Sequence, residues 1–446
     1  MIHRIGAACT FAWCVTIALG PSTAQSAGSR HVPPRTTDIS YYYDLADNSV
    51  FRPITRVTDP ALGIRKLMRH PRQALNVDEH DQVRLPSTWW QPRLGYRTVT
   101  PQQIKTGPGP GTGPVAGRWK VTRAKTQGVT PGFFIKDQAG ESFIIKFDPP
   151  RQAEMATAAD VVASHLFWAA GYNVPDNSIV RFQREDLDIA TDGTFTDELG
   201  RKQPLTQEVL DRVLSRVAQN VDGSYRGMAS RLLKGKPLGP FEYRGRRTDD
   251  PEDLVPHEHR RELRGMWPIC AWVNHADCRG PNSLDLWVTA GGRSFVRHHL
   301  IDFGSCLGSA AVAARSPQTG SEYFVDYGVI ARSLLTLGLA RSGWEETVDP
   351  ELPSIGFIEG FDFDPGSWRP DYPNPAFDER TTRDIVWGTR IVAAFTEEHI
   401  RAAVELAHYT DPRATEYLVQ VLIQRRNLLM SRWLSTTPTA TAPFEP

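Results

Sequence analysis

The chain has 446 residues, 40% of them hydrophobic and 23% charged, which is enough apolar material for a packed core and argues against disorder over most of the length. Lys plus Arg and Asp plus Glu both number 51, so the formal charge is zero and the basic excess of a general nucleic-acid binder is missing. There is no internal repeat and no second long apolar run, which excludes a polytopic membrane protein, and at roughly 150 residues per domain the length suits two or three folding units.

The first segment reads as an export signal. His3 and Arg4 precede an apolar stretch from Ile5 to Gly20, and small residues follow from Ser22 to Ala27. Residues 1–26 are therefore expected to be removed, which places the mature chain in the periplasm or outside the cell, without an integral membrane anchor. Three cysteines then remain, Cys270, Cys278 and Cys306, too few and too odd for a disulfide framework. His257-Glu-His259 sits in a charged run ending at Arg264 and reads as a solvated helix face rather than a metal site.

Residues 27–116 are rich in Pro, Arg and aromatics. Short apolar stretches such as Phe51–Val57 and Trp89-Trp90 suggest an irregular arm packed on the main body, and Gly107–Pro114 reads as a linker or exposed loop. Alternation changes the pattern from Gly117. Trp119–Lys125, Phe133–Lys136 and Ser142–Phe147 are predicted strands, with a turn at Gly128–Gly132 and a hairpin signal at Asp137–Gly140. Arg151–Ala170 carries helical spacing and ends at Gly171. Ile179–Phe182 and Tyr225–Leu233 are further strands, separated by an insertion over 184–222 with one helix at Thr206–Ala218.

The second half is mainly helical. Predicted helices are Pro256–Asn274, interrupted at Pro268, then Tyr323–Leu339, Thr381–Phe395, Glu397–His408 and Ala414–Leu434. Thr396 and Asp411 are expected caps, and Pro412 suits a first turn. Two short strands, Leu284–Val288 and Ser294–Ile301, lie between the first two helices, and 435–446 reads as a disordered tail. The expected class is α+β in two lobes: a small antiparallel sheet with a helix over 117–237, and a mainly helical lobe over 238–434.

Three separated features carry chemistry. Lys146 ends the third predicted strand, where an inward ammonium can hold phosphates as a point charge. His275-Ala-Asp277-Cys-Arg-Gly-Pro-Asn282 has the form H-x-D-x-x-x-x-N, and such a loop can place a carboxylate near an acceptor hydroxyl and an oxygen ligand near a metal. Asp302-Phe303-Gly304 presents a carboxylate at a strand end twenty residues after Asn282. In this order and setting the chain resembles the protein-kinase-like superfamily, over about residues 117–340. Within it, the chain looks most like the atypical branch of HipA-type and related bacterial kinases and lipid kinases. It is also similar to exported bacterial proteins of unknown role that share segments like Arg123–Lys136 and Ile144–Pro150.

The resemblance implies a two-lobed fold with ATP and Mg²⁺ in the cleft. Lys146 would pair the phosphates, Asp277 would orient or deprotonate the acceptor hydroxyl, and Asn282 and Asp302 would hold Mg²⁺. His275 would be a scaffold of the catalytic loop, and Gly128 and Gly132 would let the first hairpin approach the phosphates. Glu154 is the first candidate for the helix partner of Lys146, with Asp160, of shorter reach, as the alternative. No G-x-G-x-x-G joins the first two strands and no A-P-E follows Gly304, so the acceptor stays open among a protein hydroxyl, a lipid headgroup, a sugar and a small molecule. Export and ATP chemistry pull apart, because the periplasm holds little free ATP. A kinase-fold scaffold of the cell envelope is therefore the alternative to an exported phosphotransferase. Oligomeric state and the pairing of the three cysteines stay open. Cys278 and Cys306 flank the expected site, where oxidation would block it.

Overall fold

The structure, a computed structural model, describes residues 32–38, 47, 72–125, 131–197, 200–310, 313–337, 339, 344 and 352–435. The export segment, Phe51–Val57, Gly128 and the tail beyond Ser435 lie outside these residues.

The arm from residue 72 has little regular structure, yet Val83, Trp89, Trp90, Leu94 and Val99 are buried in the helical core. The indole N–H of Trp90 donates to the Ala170 carbonyl at 2.8 Å, which anchors the arm to the main body. Helix α1 (Pro101–Thr106) follows, with Thr100 and Gln103 in a reciprocal cap. The Pro-Gly stretch after it is not a free loop. A Cβ at Gly109 would lie 2.2 Å from the carboxylate of Asp176, so the chain runs as a strap against the sheet edge, and only a residue without a side chain fits there.

Strands β1 (Trp119–Lys125), β2 (Gly132–Lys136) and β3 (Ser142–Lys146) form the expected meander, followed by α2 (Met155–Ala169) and β4 (Asn177–Phe182). The insertion is more ordered than its sequence suggests. It supplies β5 (Leu187–Thr196), β6 (Lys202–Pro204) and α3 (Gln207–Leu214) before the chain returns as β7 (Tyr225–Arg231). The sheet has seven strands in the order β4-β7-β3-β2-β1-β5-β6, and the β1–β5 pair is parallel. Alternate residues Val121, Phe133, Ile135, Phe143 and Ile145 are buried together with Leu210 and Leu214 of α3. The core of the sheet is therefore closed by α3. Helix α2 belongs mainly to the other core, through Ala158, Val162, Leu166 and Phe167.

In the second half, β8 (Lys236–Gly239), which sequence patterning misses, precedes α4 (Arg261–Arg264) and α5 (Trp267–Trp272). The hairpin β9 (Ser283–Ala290) and β10 (Arg293–Leu300) pairs with β8 in a second, three-stranded sheet. Helices α6 (Tyr327–Leu335), α7 (Pro375–Asp378), α8 (Thr382–Ala393), α9 (Glu397–Glu405) and α10 (Pro412–Trp433) complete the chain. Thr396 caps α9 and Asp411 caps α10, with Pro412 in its first turn. No helix among the described residues is long and apolar enough to cross a membrane.

The run His257–Arg264 is a correction to the sequence reading. It is a buried ionic network, not a solvated helix face: Arg261, Glu262 and Arg264 are at most 1% exposed. Each side chain is answered, the two arginines by a carboxylate far along the chain. Arg261 pairs with Asp384 at 3.0 Å, Glu262 accepts from Asn76, and His257 and Arg260 both meet Asp253 at 2.8 Å. Alternating charge along the chain could not show that the partners come from elsewhere.

A second buried pair ties the sheet to the helical half. Arg226 of β7 donates to Asp148 at 3.1 Å, to the Thr157 hydroxyl, and to the Ala407 carbonyl at 2.6 Å. Arg226→Met should lower stability by about 3 kcal/mol in urea unfolding, because Asp148 is left charged and buried. Adding Asp148→Asn should recover part of that loss.

Candidate active site

Two eight-residue strands joined by a tight turn determine where the polar groups meet. Asn282 stands just before β9 and Asp302 just after β10. The register pairs Ser283 with Leu300, and Ile301 N–H donates to the Asn282 carbonyl at 3.1 Å. The hairpin therefore returns the D-F-G turn to the His275–Asn282 loop. Asp302 sits at φ 63° and ψ 65°, a left-handed conformation that turns the chain out of β10. Its side chain is 54% exposed.

The Lys146 ammonium, at the end of β3, is 3.1 Å from Asp160 Oδ2 and 2.8 Å from Asp302 Oδ1. Burial works against its charge, but Asp160 and Asp302 outweigh it and hold the amine well above its ordinary pKa. Asp160 is itself buried in α2. Its other oxygen accepts from Asn177 Nδ2 at 2.9 Å and from the backbone N–H of Phe303 at 3.2 Å. Burial pushes the Asp160 carboxyl upward, Lys146 opposes that, and the like charge of Asp302 adds to it. One ammonium shared by two carboxylates leaves the cluster one positive charge short.

The His275–Asn282 loop is held just as closely. Asp277 Oδ1 accepts from Arg279 Nε at 2.6 Å and Oδ2 from Asn282 Nδ2 at 2.8 Å. Because Nδ2 also donates to the Asp277 carbonyl, the amide of Asn282 is fixed with its oxygen turned away from these partners. His275 is 3% exposed and packs against the rings of Phe167 and Phe303 at 5.7 and 5.5 Å. Burial pulls its imidazole down to about 4, so it is neutral. Among the described residues no group of three or more His, Cys, Asp or Glu is arranged to hold a metal. Cys270, Cys278 and Cys306 are buried free thiols, and burial pushes those of Cys270 and Cys306 up.

The structure thus brings Lys146 and Asp302 into contact, and Asp277 and Asn282 into contact beside them. Glu154 is a correction. It precedes α2 at φ 71°, and its carboxylate accepts from the Thr410 N–H at 2.9 Å and the Thr410 hydroxyl at 2.5 Å. The reason is the late start of the helix. Asp148 caps the first turn by accepting from the N–H groups of Glu154 and Thr157, so Glu154 faces away and Asp160 meets the lysine. Gly132 lies in β2 opposite Lys146, and a Cβ there would come within 2.3 Å of the Ile145 carbonyl oxygen. Its missing side chain lets two strands approach. Sequence reading passed over Arg279 and Asn177. Arg279 stood inside the loop two residues from Asp277, a signal that was present; Asn177 had none, being joined to the site only by the fold.

Solved structures similar to this chain include the Helicobacter pylori proinflammatory kinase CtkA, at 11% identity over 73% of this chain and 100% of that one, with a TM-score of 0.37. The Golgi casein kinase is similar at 10% identity over 91% and 96% of the two chains, with a TM-score of 0.35. The same Golgi casein kinase with Mn/ADP bound is similar at 12% identity over 76% and 78%, with a TM-score of 0.29. No family model and no curated protein matches the sequence.

His299, like His275, is held down to about 4 by burial. Both are neutral in the folded and unfolded chain above the unfolded value near 6.5. As pH falls from about 6.5 toward 4 only the unfolded chain takes up these protons, so stability should drop by roughly 3 kcal/mol per histidine and level off below. Denaturant unfolding across this range should show the fall, and His275→Gln should make it shallower.

Proposed function

We propose that the chain is an exported phosphotransferase of protein-kinase-like architecture that uses ATP and Mg²⁺ on a hydroxyl acceptor. The observation that carries this reading is the Lys146 ammonium held between Asp160 and Asp302, beside an Asp277 locked to Asn282. Lys146 has the charge to hold phosphate oxygens. Asp277 has the carboxylate to orient an acceptor hydroxyl or take its proton, and Arg279 and Asn282 position it. The donor set fits a hard cation: one carboxylate from Asp302 and one amide oxygen from Asn282, with water and phosphate completing the shell. The charge deficit of the cluster favours a cation there. When bound, Mg²⁺ would neutralise charge on the transferring phosphoryl group.

Asp277 next to a neutral His275 has no proton relay behind it. The loop therefore acts by placement, which suits phosphoryl transfer, where positioning and electrostatics do most of the work. The export segment belongs to the same proposal and puts the activity in the periplasm or beyond. The second reading is an inactive envelope scaffold, in which the 2.8 Å contact between Lys146 and Asp302 is a structural ion pair.

Calorimetric titration with ATP and MgCl₂ separates the two. Binding should vanish in Asp302→Ala and weaken about tenfold in Lys146→Met, and Glu154→Gln should leave it unchanged. Asp277→Asn should keep binding but cut phosphate transfer from labelled ATP by roughly a thousandfold. No Mg²⁺-dependent binding at all removes the phosphotransferase reading, and binding with nothing lost in Asp277→Asn favours the scaffold.

A further inference from the structure

The ammonium of Lys146 has little room to move. Its backbone lies inside the sheet, opposite Gly132 on β2 and Met228 on β7. Its side chain is 18% exposed, and its nitrogen is tied at 3.1 Å to Asp160, whose side chain is 3% exposed. Asp160 is fixed in turn by the amide of Asn177 and by the main chain at Phe303. Against the cost of burial, Asp160 and Asp302 together keep the amine charged. A positive charge therefore stands permanently beside Asp302.

Asp302 answers that ammonium through Oδ1 at 2.8 Å, yet its side chain is 54% exposed, so a cation can reach the carboxylate from the solvent side. The neighbouring acid, Asp277, is already paired with Arg279 at 2.6 Å. A cation at Asp302 meets two opposing fields. The amine and its two carboxylates are one positive charge short and attract it. The ammonium repels it from close by. A Mg²⁺ or Mn²⁺ ion bound to either oxygen of this carboxylate lies no more than about 7 Å from the nitrogen, which is inside one Debye length at physiological salt. At that range like charges in a partly buried setting are poorly screened, and the doubly charged ion feels the repulsion twice over.

We propose that Lys146 sets the order in which the site is loaded: it holds a bare divalent cation off Asp302 and admits one together with a triphosphate. The proposal rests on the phosphotransferase reading. Phosphate oxygens beside the ammonium cancel its repulsion and also complete the shell of the cation. Nucleotide and metal then strengthen each other through one side chain, and by linkage each does so by the same factor. Lys146 thus has two effects of opposite sign, favourable to the nucleotide and unfavourable to the metal alone. A lysine that only held phosphate would have the first effect without the second, and one that only braced Asp160 would have neither.

The test follows Mn²⁺, which takes oxygen ligands as Mg²⁺ does, through loss of the free-ion electron paramagnetic resonance signal. It uses the full chain, with and without the β,γ-imido analogue of ATP. The Asp302 site is the part of the binding that disappears in Asp302→Ala. In the unsubstituted chain the analogue should tighten Mn²⁺ at that site about a hundredfold. Lys146→Met should tighten Mn²⁺ alone about tenfold while weakening the analogue. Lys146→Arg, which keeps the charge, should leave the binding of Mn²⁺ alone as it was. Lys146→Met strands the buried Asp160, so a second variant, Lys146→Met with Asp160→Asn, removes the pair as a whole and should tighten Mn²⁺ alone about threefold. A urea transition like that of the unsubstituted chain guards each variant against a folding failure. Suppose the analogue binds the unsubstituted chain with Mn²⁺, but neither Met variant tightens Mn²⁺ alone: the proposal is overturned and the phosphotransferase reading stands. Equal tightening in the Met and Arg variants overturns it too, because packing and not charge is then responsible. No binding of the analogue with Mn²⁺ removes the phosphotransferase reading, and the proposal with it.

Discussion

The buried carboxylate of Asp160 is the junction on which the candidate site depends. From the middle of α2 it meets Lys146 on β3, Asn177 at the start of β4 and the backbone of Phe303 in the D-F-G turn. These three come from the edge and centre of the sheet and from the end of a hairpin in the other half of the molecule. A charge so deeply buried is tolerated only when its oxygens are answered, and here both are. Because the hydrogen bond to Phe303 runs through the main chain, it acts on the path of the backbone. It helps hold Asp302 in a left-handed conformation, uncommon for a residue other than glycine. The placement of the exposed carboxylate is thus set by the buried one.

That dependence explains which parts of the site the sequence reveals. Lys146, Asp277, Asn282 and Asp302 were legible because each belongs to a local pattern: a strand end, a loop of fixed spacing, an apolar strand broken by glycine. The twenty residues from Asn282 to Asp302 make sense once they fold as two eight-residue strands and a tight turn, since that length brings the ends together. Asp160 was harder. Counting forward from the lysine favours the nearer acid, Glu154, and only the cap from Asp148 shows that the helix begins after it. A cap formed by a residue several positions upstream of the helix, with two prolines between, has no simple sequence signature.

The fold divides along the same line. The meander of β1 to β3, the two long C-terminal helices and their caps follow from alternation, helical spacing and capping residues. The strands of the insertion do not. In β5 only Leu187 and Gly193 are buried, because the strand lies near the sheet edge and its polar residues face solvent without regular alternation. Its parallel pairing with β1 is a long-range choice that composition cannot express. The buried charges of Arg261, Glu262 and Arg264 are invisible for a related reason: a run of alternating charge reads as surface unless the answering Asp384 and Asn76, far away in sequence, are known to meet it.

The His275–Asn282 loop is fixed from several directions, and its histidine shows how. Asp277 is held by Arg279 and Asn282, Asn274 by Trp368, and Ala276 through its carbonyl by the N–H of Asp371 at 2.8 Å. Asp371 in turn pairs with Arg315 at 2.7 Å. Between these polar ties His275 is an apolar anchor. Its ring fills space between Phe167 of α2 and Phe303 of the D-F-G turn, and its buried Nδ1 has no hydrogen-bond partner among the described residues. An unanswered ring nitrogen costs stability, so the position favours a side chain that stays neutral and keeps its shape. A protonated imidazole there would put a positive charge between two aromatic rings and beside Arg315, and would loosen both the loop and the turn. Burial therefore gives this histidine a structural role and removes the proton chemistry that its neighbourhood with Asp277 suggests.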